Sequence, residues 1–173
     1  MDIAGGLVGC LMTAVAFIFV APLIYIQSPG PIFFTQERVG YNGKRFKIYK
    51  FRSMYLDAEE RKAALMRENK MSDGKMFKLD FDPRVIGNRI LPDGRRKKGI
   101  GDFIRRTSID ELPQLFCVLK GDMSLVGPRP ERPYFVERLT QDIPYYALRH
   151  GIKPGLTGWA QVRYHYGASV KDA

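Results

Sequence analysis

An uninterrupted apolar stretch near the start of the chain limits what this sequence can fold into. Residues 3–27 contain no charged side chain, and a helix over this stretch would be about 37 Å long. That length is enough to cross a hydrocarbon core of about 30 Å. No basic residue precedes the stretch, and it is longer than the apolar part of a secretory signal peptide. The sequence therefore predicts a membrane helix over residues 3–27.

Pro22 lies inside this predicted helix and leaves two membrane topologies open. Proline lacks an N–H and crowds the preceding turn, so we expect a kink after Ala21. A straight crossing would leave Met1 outside and the basic part of the chain in the cytosol, by the positive-inside rule. A bent helix would instead enter and leave through the cytosolic face. The residues alone do not separate the two, because membrane helices tolerate proline.

The remainder of the chain is strongly basic. The 173 residues carry a net charge of +10 with 28 lysines and arginines, none of them in the first 34 positions. A body of this kind suits anionic partners, such as phosphates, nucleic acid or an acidic membrane surface. Cys10 and Cys117 are far apart and show neither metal-binding spacing nor a disulfide framework. A reducing compartment is therefore expected.

Turn residues and apolar periodicity divide the basic part into short elements, which predict an α/β (α+β) fold that is mainly helical with a small β-hairpin or sheet. Asn42-Gly43 favours a tight turn between two strands, at 32–39 and 45–54. A turn followed by a strand is expected at 155–162, and an irregular segment at 70–99. Helices are predicted at 57–69, 100–106, 110–119, 131–139 and 144–150, the third with an apolar face of Leu112, Leu115, Phe116 and Leu119.

Asp110 and Glu111 are adjacent carboxylates at a predicted helix start. Pro113 has no N–H and fits only the first turn of a helix, which places that start near Asp110. Ser108-x-x-Glu111 also matches a capping box, a common structural pattern. Pro113 argues against the capping box, because it would then be the fifth helical residue and its N–H should already be bonded. Arg105 lies just upstream of the pair.

Five motifs follow one another over nearly the whole chain: FKIYKFRSM (46–54), DPR (82–84), RRTSIDELPQL (105–115), KGDMSLVGPRP (120–130) and KPGLTGWAQV (153–162). Each is weak alone. Together, and in this order, they resemble the bacterial sugar transferase family, in particular the catalytic part of its monotopic polyprenyl-phosphate phosphoglycosyl transferases. The segment 164–170 resembles the long-form members of that family.

The resemblance implies a reaction and gives the acidic residues roles. Such enzymes transfer a sugar 1-phosphate from a nucleoside diphosphate sugar, usually a UDP-sugar, to undecaprenyl phosphate and release UMP. Asp110 would be the nucleophile and would form an aspartyl-phosphosugar intermediate. Mg²⁺ would be the cofactor, held by Glu111 with Asp110. Asp122 would orient a basic residue or assist the metal.

Attack by one anion on another requires positive charge nearby, so basic residues are expected around the diphosphate. Two prolines flank Arg129 and would hold its guanidinium on a stiff segment, which makes Arg129 and Arg105 the first expected phosphate contacts. The next are Arg38, Lys50 and Arg52. The basic residues on the second predicted strand could instead simply form a solvent-exposed face without binding phosphate.

The resemblance also implies a membrane arrangement. Residues 1–28 would form a re-entrant helix broken at Pro22, and residues 29–173 a catalytic domain on the cytosolic face of a bacterial inner membrane, against its inner leaflet. Ala21 stands where the family often has serine before this proline. Relatives usually begin earlier and end later, so the chain is expected to be truncated at both ends. Whether the full-length protein forms a homo-oligomer is left open. Four aromatic residues could lie at the interface or in the core, namely Tyr134, Phe135, Tyr145 and Tyr146.

Two other functions remain open at this point. The basic chain could be a membrane-anchored module that binds anionic lipid or nucleic acid without catalysis. No nucleic-acid-binding motif accompanies the charge, so nucleic acid is not expected as a partner. A phosphohydrolase acting on lipid diphosphates would use water as the final acceptor. The identity of the transferred sugar is not encoded in any motif above.

Overall fold

The computed structural model describes residues 1–65, 79 and 81–163. Predictions for residues 66–78, 80 and 164–173 lie outside the described residues. The mixed α/β fold is confirmed, with helices and short two-stranded sheets alternating along the chain. The elements are α1 (Asp2–Gln27), β1 (Phe33–Val39), a short 3-10 turn (Tyr41–Gly43), β2 (Arg45–Phe51), α2 (Ala58–Leu65), β3 (Arg89–Ile90), β4 (Arg96–Lys97), α3 (Ile100–Arg106), a 3-10 helix (Ile109–Gln114), α4 (Leu115–Lys120), β5 (Ser124–Val126), α5 (Pro133–Asp142), a further 3-10 helix (Tyr146–Gly151), β6 (Gly155–Thr157) and α6 (Trp159–Arg163).

The predicted apolar helix is present as α1, a single element of 26 residues that continues through Pro22. Its apolar window has a mean hydropathy of 2.5, so by length and composition it could cross a membrane. Most of the side chains in that window face away from the protein, since 22% of the window is buried. The helix therefore presents an apolar surface that is largely uncovered by the described residues.

The predicted hairpin joins β1 and β2, which pair with each other. Asn42 and Gly43 both adopt left-handed backbone angles, with φ of 53° and 74°. A tight turn between twisted strands requires this conformation, which asparagine and glycine adopt most readily. The second strand ends at Phe51 rather than at Met54, which instead forms an isolated antiparallel bridge with Val85.

The structure divides into two compact units, and each draws on one half of α1. The first unit contains residues 1–14, 35–50 and 112 onward, and the second contains residues 15–34 and 51–111. This division does not follow the predicted boundary after residue 28. That boundary concerns the membrane, and it stays a prediction.

The core of the first unit forms around α4. Ile48 of β2 packs with Leu115, Cys117, Val118 and Met123, all of them buried. The Cys117 thiol donates a hydrogen bond to the carbonyl of Lys47. β5 and β6 pair in parallel beside this core, with Ser124 opposite Gly155. The core thereby fixes the chain on both sides of the Gly127–Pro130 segment.

The core of the second unit forms between α1 and α3. Val20 and Ile24 of α1 pack with Phe51, Ile86 and Ile104, and the last two are fully buried. Gly101 lets α3 approach closely, since a Cβ there would lie 2.3 Å from the carbonyl oxygen of Ser53. The same packing places the end of α3, and hence the chain leading to Asp110, against a rigid core.

Several local predictions need correction. The segment predicted as a turn and strand at 155–162 is a strand only at Gly155–Thr157, because α6 begins at Trp159. Phe116 is 54% exposed and does not belong to the buried face of its helix. The two late helices lie at Pro133–Asp142 and, as a 3-10 helix, at Tyr146–Gly151. Of the four aromatic residues expected at an interface or in the core, Tyr146 is buried, whereas Tyr134 and Tyr145 are exposed.

Candidate active site

Asp110 lies on a 3-10 helix that starts after a sharp turn. α3 ends at Arg106, and Ser108 has a φ of 57°, a left-handed conformation that reverses the chain. A helix-capping serine would need an extended backbone, so the capping box is not formed. Instead, the N–H of Glu111 donates to the carbonyl of Ser108 at 3.1 Å. The helix start predicted from Pro113 is confirmed, although the first turns are 3-10 and the α-helix begins only at Leu115.

The two carboxylates differ in their exposure to solvent. Asp110 is 9% exposed and Glu111 is half-buried. Both make polar or electrostatic interactions within the protein. Consecutive residues of a 3-10 helix point about 120° apart, so the two side chains leave the helix in different directions. They can therefore serve different chemical roles.

Arg105 and Arg52, two cations of the second unit, also differ in their exposure to solvent. Arg105 is exposed at the end of α3. Arg52 is 4% exposed, and its guanidinium donates to the carbonyl of Ser28 just beyond α1. Its Nε and Nη1 are buried and have no hydrogen-bond partner among the described residues. Burial lowers the pKa of Arg52 from its usual value, but an arginine remains charged at any physiological pH.

The DPR motif forms a buried ion pair that fastens the loop before α3. Arg84 donates to both carboxylate oxygens of Asp82, at 2.9 and 2.7 Å. The carbonyl of Arg84 accepts from the N–H of Tyr55, and the amide of Asn88 donates to the carbonyl of Asp82. Burial raises the pKa of Asp82, but the Arg84 hydrogen bonds and the attraction of Arg84 and Arg105 outweigh it, so the pKa is lowered. The motif therefore has a structural role here.

We expect Asp82→Asn to lower the free energy of unfolding by roughly 3 kcal/mol near pH 7, because it removes the carboxylate charge to which the buried Arg84 donates two hydrogen bonds. The folded-state pKa of Asp82 lies below its unfolded value, so this stabilisation is present above about pH 4 and is lost as the pH falls through the folded pKa. Urea unfolding of both proteins between pH 7 and pH 3 measures the effect. If the difference in the free energy of unfolding between the two proteins stays constant from pH 7 to pH 3, the stabilisation by Asp82 is not electrostatic.

Arg38 holds the Pro-Arg-Pro segment of the first unit in place. Its guanidinium donates to the carbonyl of Pro130 at 3.0 Å and lies 3.5 Å from the Glu131 carboxylate. The N–H of Val39 donates to the carbonyl of Glu131 as well. Arg149 donates to the carbonyl of Arg129 at 2.9 Å. Strand β1 and Arg149 thus fix the backbone on both sides of the Arg129 side chain.

Glycines bring this segment against β6. The N–H of Gly155 donates to the carbonyl of Pro128, and the N–H of Gly127 donates to the carbonyl of Thr157, both at 2.9 Å. A Cβ on Gly155 would lie only 2.0 Å from the backbone nitrogen of Gly127. The KPGLTG motif is therefore needed for close backbone packing beneath Arg129.

A small pocket in the first unit brings together three of the predicted phosphate contacts. Arg38, Lys50 and Arg129 line it, with Gln114 and with walls made by Ile48, Pro130, Gly155 and Leu156. Asp122 is not among the lining residues and forms an ion pair with Lys120 at 2.9 Å. Gln114 was missed by the sequence reasoning. The available signal was a polar residue between the apolar Leu112 and Leu115.

The acidic residues allow a test of whether magnesium fits. The described residues contain no group of three or more His, Cys, Asp or Glu side chains that could hold a metal. Mg²⁺ is usually bound through one or two carboxylates, with water and substrate phosphates as its other ligands. Asp110 and Glu111 match that donor set. Their carboxylate chemistry is compatible with an ion that binds together with a diphosphate.

Known proteins resemble this chain along its whole length. Residues 1–172 match the sequence model of the family described as Bacterial sugar transferase. A protein of Aeromonas hydrophila, named UDP-N-acetylgalactosamine-undecaprenyl-phosphate N-acetylgalactosaminephosphotransferase, is 41% identical over 99% of this chain and 35% of its own length. UDP-glucose:undecaprenyl-phosphate glucose-1-phosphate transferase of Escherichia coli is 41% identical over 83% of this chain and 26% of its own. Undecaprenyl-phosphate galactose phosphotransferase of Salmonella typhimurium is 45% identical over 77% of this chain and 25% of its own.

The chain thus spans about a third or less of the length of these curated relatives. Their names share undecaprenyl phosphate and differ in the sugar. The match to the family extends from the apolar helix to the KPGLTGWAQV motif and includes both carboxylates. By this match, the chain belongs to the bacterial sugar transferase family.

Proposed function

We propose that this chain is the catalytic part of a phosphoglycosyl transferase that moves a sugar 1-phosphate from a UDP-sugar to undecaprenyl phosphate. The observation that carries the proposal is the pair of adjacent carboxylates, Asp110 and Glu111, in a chain whose relatives include proteins named as undecaprenyl-phosphate sugar phosphotransferases. Arg105 and Arg52 supply positive charge in the same unit. The product would enter the assembly of a cell-surface polysaccharide or glycoconjugate.

In the proposed reaction the two carboxylates have the roles that the family resemblance implies. An oxygen of Asp110 attacks the phosphorus that carries the sugar, the bond from that phosphorus to the UMP oxygen breaks, and UMP leaves. An oxygen of undecaprenyl phosphate then attacks the same phosphorus and releases the aspartate. Glu111 and Asp110 would hold Mg²⁺, which supplies charge neutralisation for the diphosphate. Arginines of the same unit would reduce the repulsion between the attacking and attacked anions.

Transfer of label from the donor to the protein tests this proposal. The full-length protein is incubated with a UDP-sugar labelled in the β-phosphate, without lipid acceptor. We expect label that survives denaturation, lies on Asp110 and is discharged by undecaprenyl phosphate. Release of labelled sugar phosphate to water without the lipid would instead indicate a hydrolase. A panel of UDP-sugars assayed for UMP release then identifies the sugar.

We further propose that α1 is re-entrant, with both ends on the cytosolic side, and contacts at each end support this. At its start, the carboxylate of Asp2 accepts hydrogen bonds from the hydroxyl of Ser124 and the N–H of Leu125. Near its end, Ile24 is buried in the core of the second unit. Each end is thus packed against folded chain of its own unit, whereas a straight crossing would place the two ends on opposite sides of the bilayer.

The first half of α1 packs unusually closely within its unit. A Cβ on Gly6 would lie 2.7 Å from the Leu119 side chain, and one on Gly9 would lie 2.2 Å from that of Leu115. In both halves of α1 the outward side chains are apolar and exposed. We propose that they face the acyl chains of the inner leaflet. They include Ile3, Leu7, Leu11, Val15, Ile18 and Phe19.

We expect a cysteine placed at residue 1 of the full-length protein to resist an impermeant thiol reagent in intact cells and to react after permeabilisation. Replacing Cys10 with serine removes a competing thiol. Cys117 can stay, because burial and the nearby Asp122 carboxylate raise its pKa to about 11, and only the thiolate reacts. Labelling from the periplasm in intact cells would refute the re-entrant arrangement.

We expect chelation with EDTA to abolish UMP release and added Mg²⁺ to restore it. Because Glu111 is proposed as a metal ligand, Glu111→Gln should raise the Mg²⁺ concentration for half-maximal turnover by about 10-fold or more. Titration of Mg²⁺ at saturating UDP-sugar measures this. Glu59→Gln is the matched control, since Glu59 is an exposed carboxylate on α2 paired with Lys62. An unchanged magnesium requirement in Glu111→Gln would remove its role as ligand.

A further inference from the structure

Gln114 ends the 3-10 helix that carries Asp110 and is almost entirely buried. It is 4% exposed, and its side-chain nitrogen is buried without a hydrogen-bond partner among the described residues. Buried amides almost always have partners, because an unmade hydrogen bond in the interior costs stability. A polar group left in this state is therefore a candidate for binding something other than the protein.

The side chain of Gln114 lines the small pocket that also contains Arg38, Lys50 and Arg129. Two of the three are held in place by the protein: the Arg38 guanidinium is bound to Pro130 and Glu131, and the carbonyl of Arg129 is bound by Arg149. The pocket therefore combines three cationic side chains with one amide nitrogen that has no acceptor among the described residues. Such a combination suits a tetrahedral oxyanion, which offers several acceptor oxygens.

We propose that Gln114 is a phosphate-binding residue, whose amide donates a hydrogen bond to an oxygen of a phosphate group held by Arg38, Lys50 and Arg129. This inference rests on the proposed function, which supplies two sources of phosphate: the nucleotide sugar and the lipid acceptor. Their headgroup chemistry is the same. In a purely structural role the side-chain nitrogen of Gln114 would donate to a protein acceptor, and it has none within the described part of the chain.

Binding measured without turnover tests the inference. The full-length protein in detergent is titrated with UMP, with inorganic phosphate and with undecaprenyl phosphate. Gln114→Met keeps the length of the side chain and removes the donor, and Gln114→Glu keeps its shape and adds a negative charge. Gln161→Met is the matched control, because Gln161 is also in the first unit, has a buried oxygen without a partner and does not line the pocket.

We expect the Kd of the phosphate ligand to rise about 10-fold in Gln114→Met and about 100-fold in Gln114→Glu, and to stay unchanged in Gln161→Met. A rise for UMP assigns the pocket to the nucleotide sugar, and a rise for undecaprenyl phosphate alone assigns it to the acceptor. Wild-type affinity for all three ligands in both Gln114 variants would overturn the inference. Kd values are compared only for variants whose melting temperatures match that of the wild type. One folded Gln114 variant is enough to decide the test.

The same titration keeps this inference separate from the proposed function. Asp110→Asn should bind UMP and form no labelled intermediate. If Asp110→Asn still turns over, the proposed covalent mechanism fails while the Gln114 result stands. If Asp110→Asn is inactive but both Gln114 variants bind phosphate normally, only the role of Gln114 fails.

Discussion

Replacing Asp110 with asparagine should reduce UMP release by at least about 10,000-fold and abolish labelling of the protein. Asparagine has nearly the same shape as aspartate, but its neutral amide oxygen cannot displace UMP from phosphorus. Loss of the nucleophile in a covalent mechanism has an effect of this size or greater, because the remaining binding groups cannot supply an alternative attacking atom.

Asp102→Asn is a matched control for this experiment. Asp102 lies on α3 and pairs with the exposed Lys98 at 3.5 Å. Surface ion pairs of this kind contribute little to stability, so turnover should stay close to that of the wild type. Because Asp110 is almost buried, the melting temperature of both variants must be measured as well. A folded Asp110→Asn protein that still releases UMP would exclude the aspartyl intermediate.

The local elements that the sequence predicted well are those determined by a few neighbouring residues. The absence of charge over residues 3–27 predicted α1, Asn42-Gly43 predicted the turn between β1 and β2, and Pro113 located the helix start near Asp110. Each of these features depends on the backbone preferences or the hydrophobicity of a few neighbouring residues, and both are properties of the local sequence. The family motifs then added the chemistry, since position and spacing alone could not assign a nucleophile.

Features that depend on distant residues could not be predicted. The parallel pairing of β5 with β6 joins Ser124 to Gly155, and nothing in either short segment identifies the other. α6 was predicted as part of a strand, although the strand ends at Thr157. The periodicity also placed Phe116 on a buried face, whereas its side chain is exposed, because neighbouring elements decide which face of a short helix is covered.

In the candidate site, too, the sequence predicted the charged residues but not those that depend on packing between distant segments. Arg38, Lys50 and Arg129 were chosen for their charge, and the structure places all three around one pocket. Gln114 has no charge and no distinctive spacing, so only its burial without a partner makes it noticeable. Asp122, which was expected to orient a basic residue or assist the metal, pairs with the basic residue Lys120 at the end of α4, and its part in catalysis stays a prediction.

Gly155→Ala should have the second largest effect, a loss of about 3 kcal/mol or more in the free energy of unfolding. The added Cβ would lie 2.0 Å from the nitrogen and 2.6 Å from the carbonyl oxygen of Gly127. These are backbone atoms that cannot rotate away, so β5 and β6 must separate. The hydrogen bond from the N–H of Gly155 to Pro128 would then be lost, and Arg129 would no longer be held in position.

Gly151→Ala is the control for Gly155→Ala, because no heavy atom lies within 4 Å of a Cβ at that position, and it should change stability by less than about 0.5 kcal/mol. Arg129→Lys separates loss of the fold from loss of the side chain. It should keep the wild-type melting temperature while kcat/KM falls roughly 10-fold to 100-fold, since lysine cannot bind a phosphate through two parallel hydrogen bonds. If Gly155→Ala unfolds at the wild-type urea concentration and remains active, then β6 does not hold Arg129, and the segment must be fixed by Arg38 and Arg149 alone.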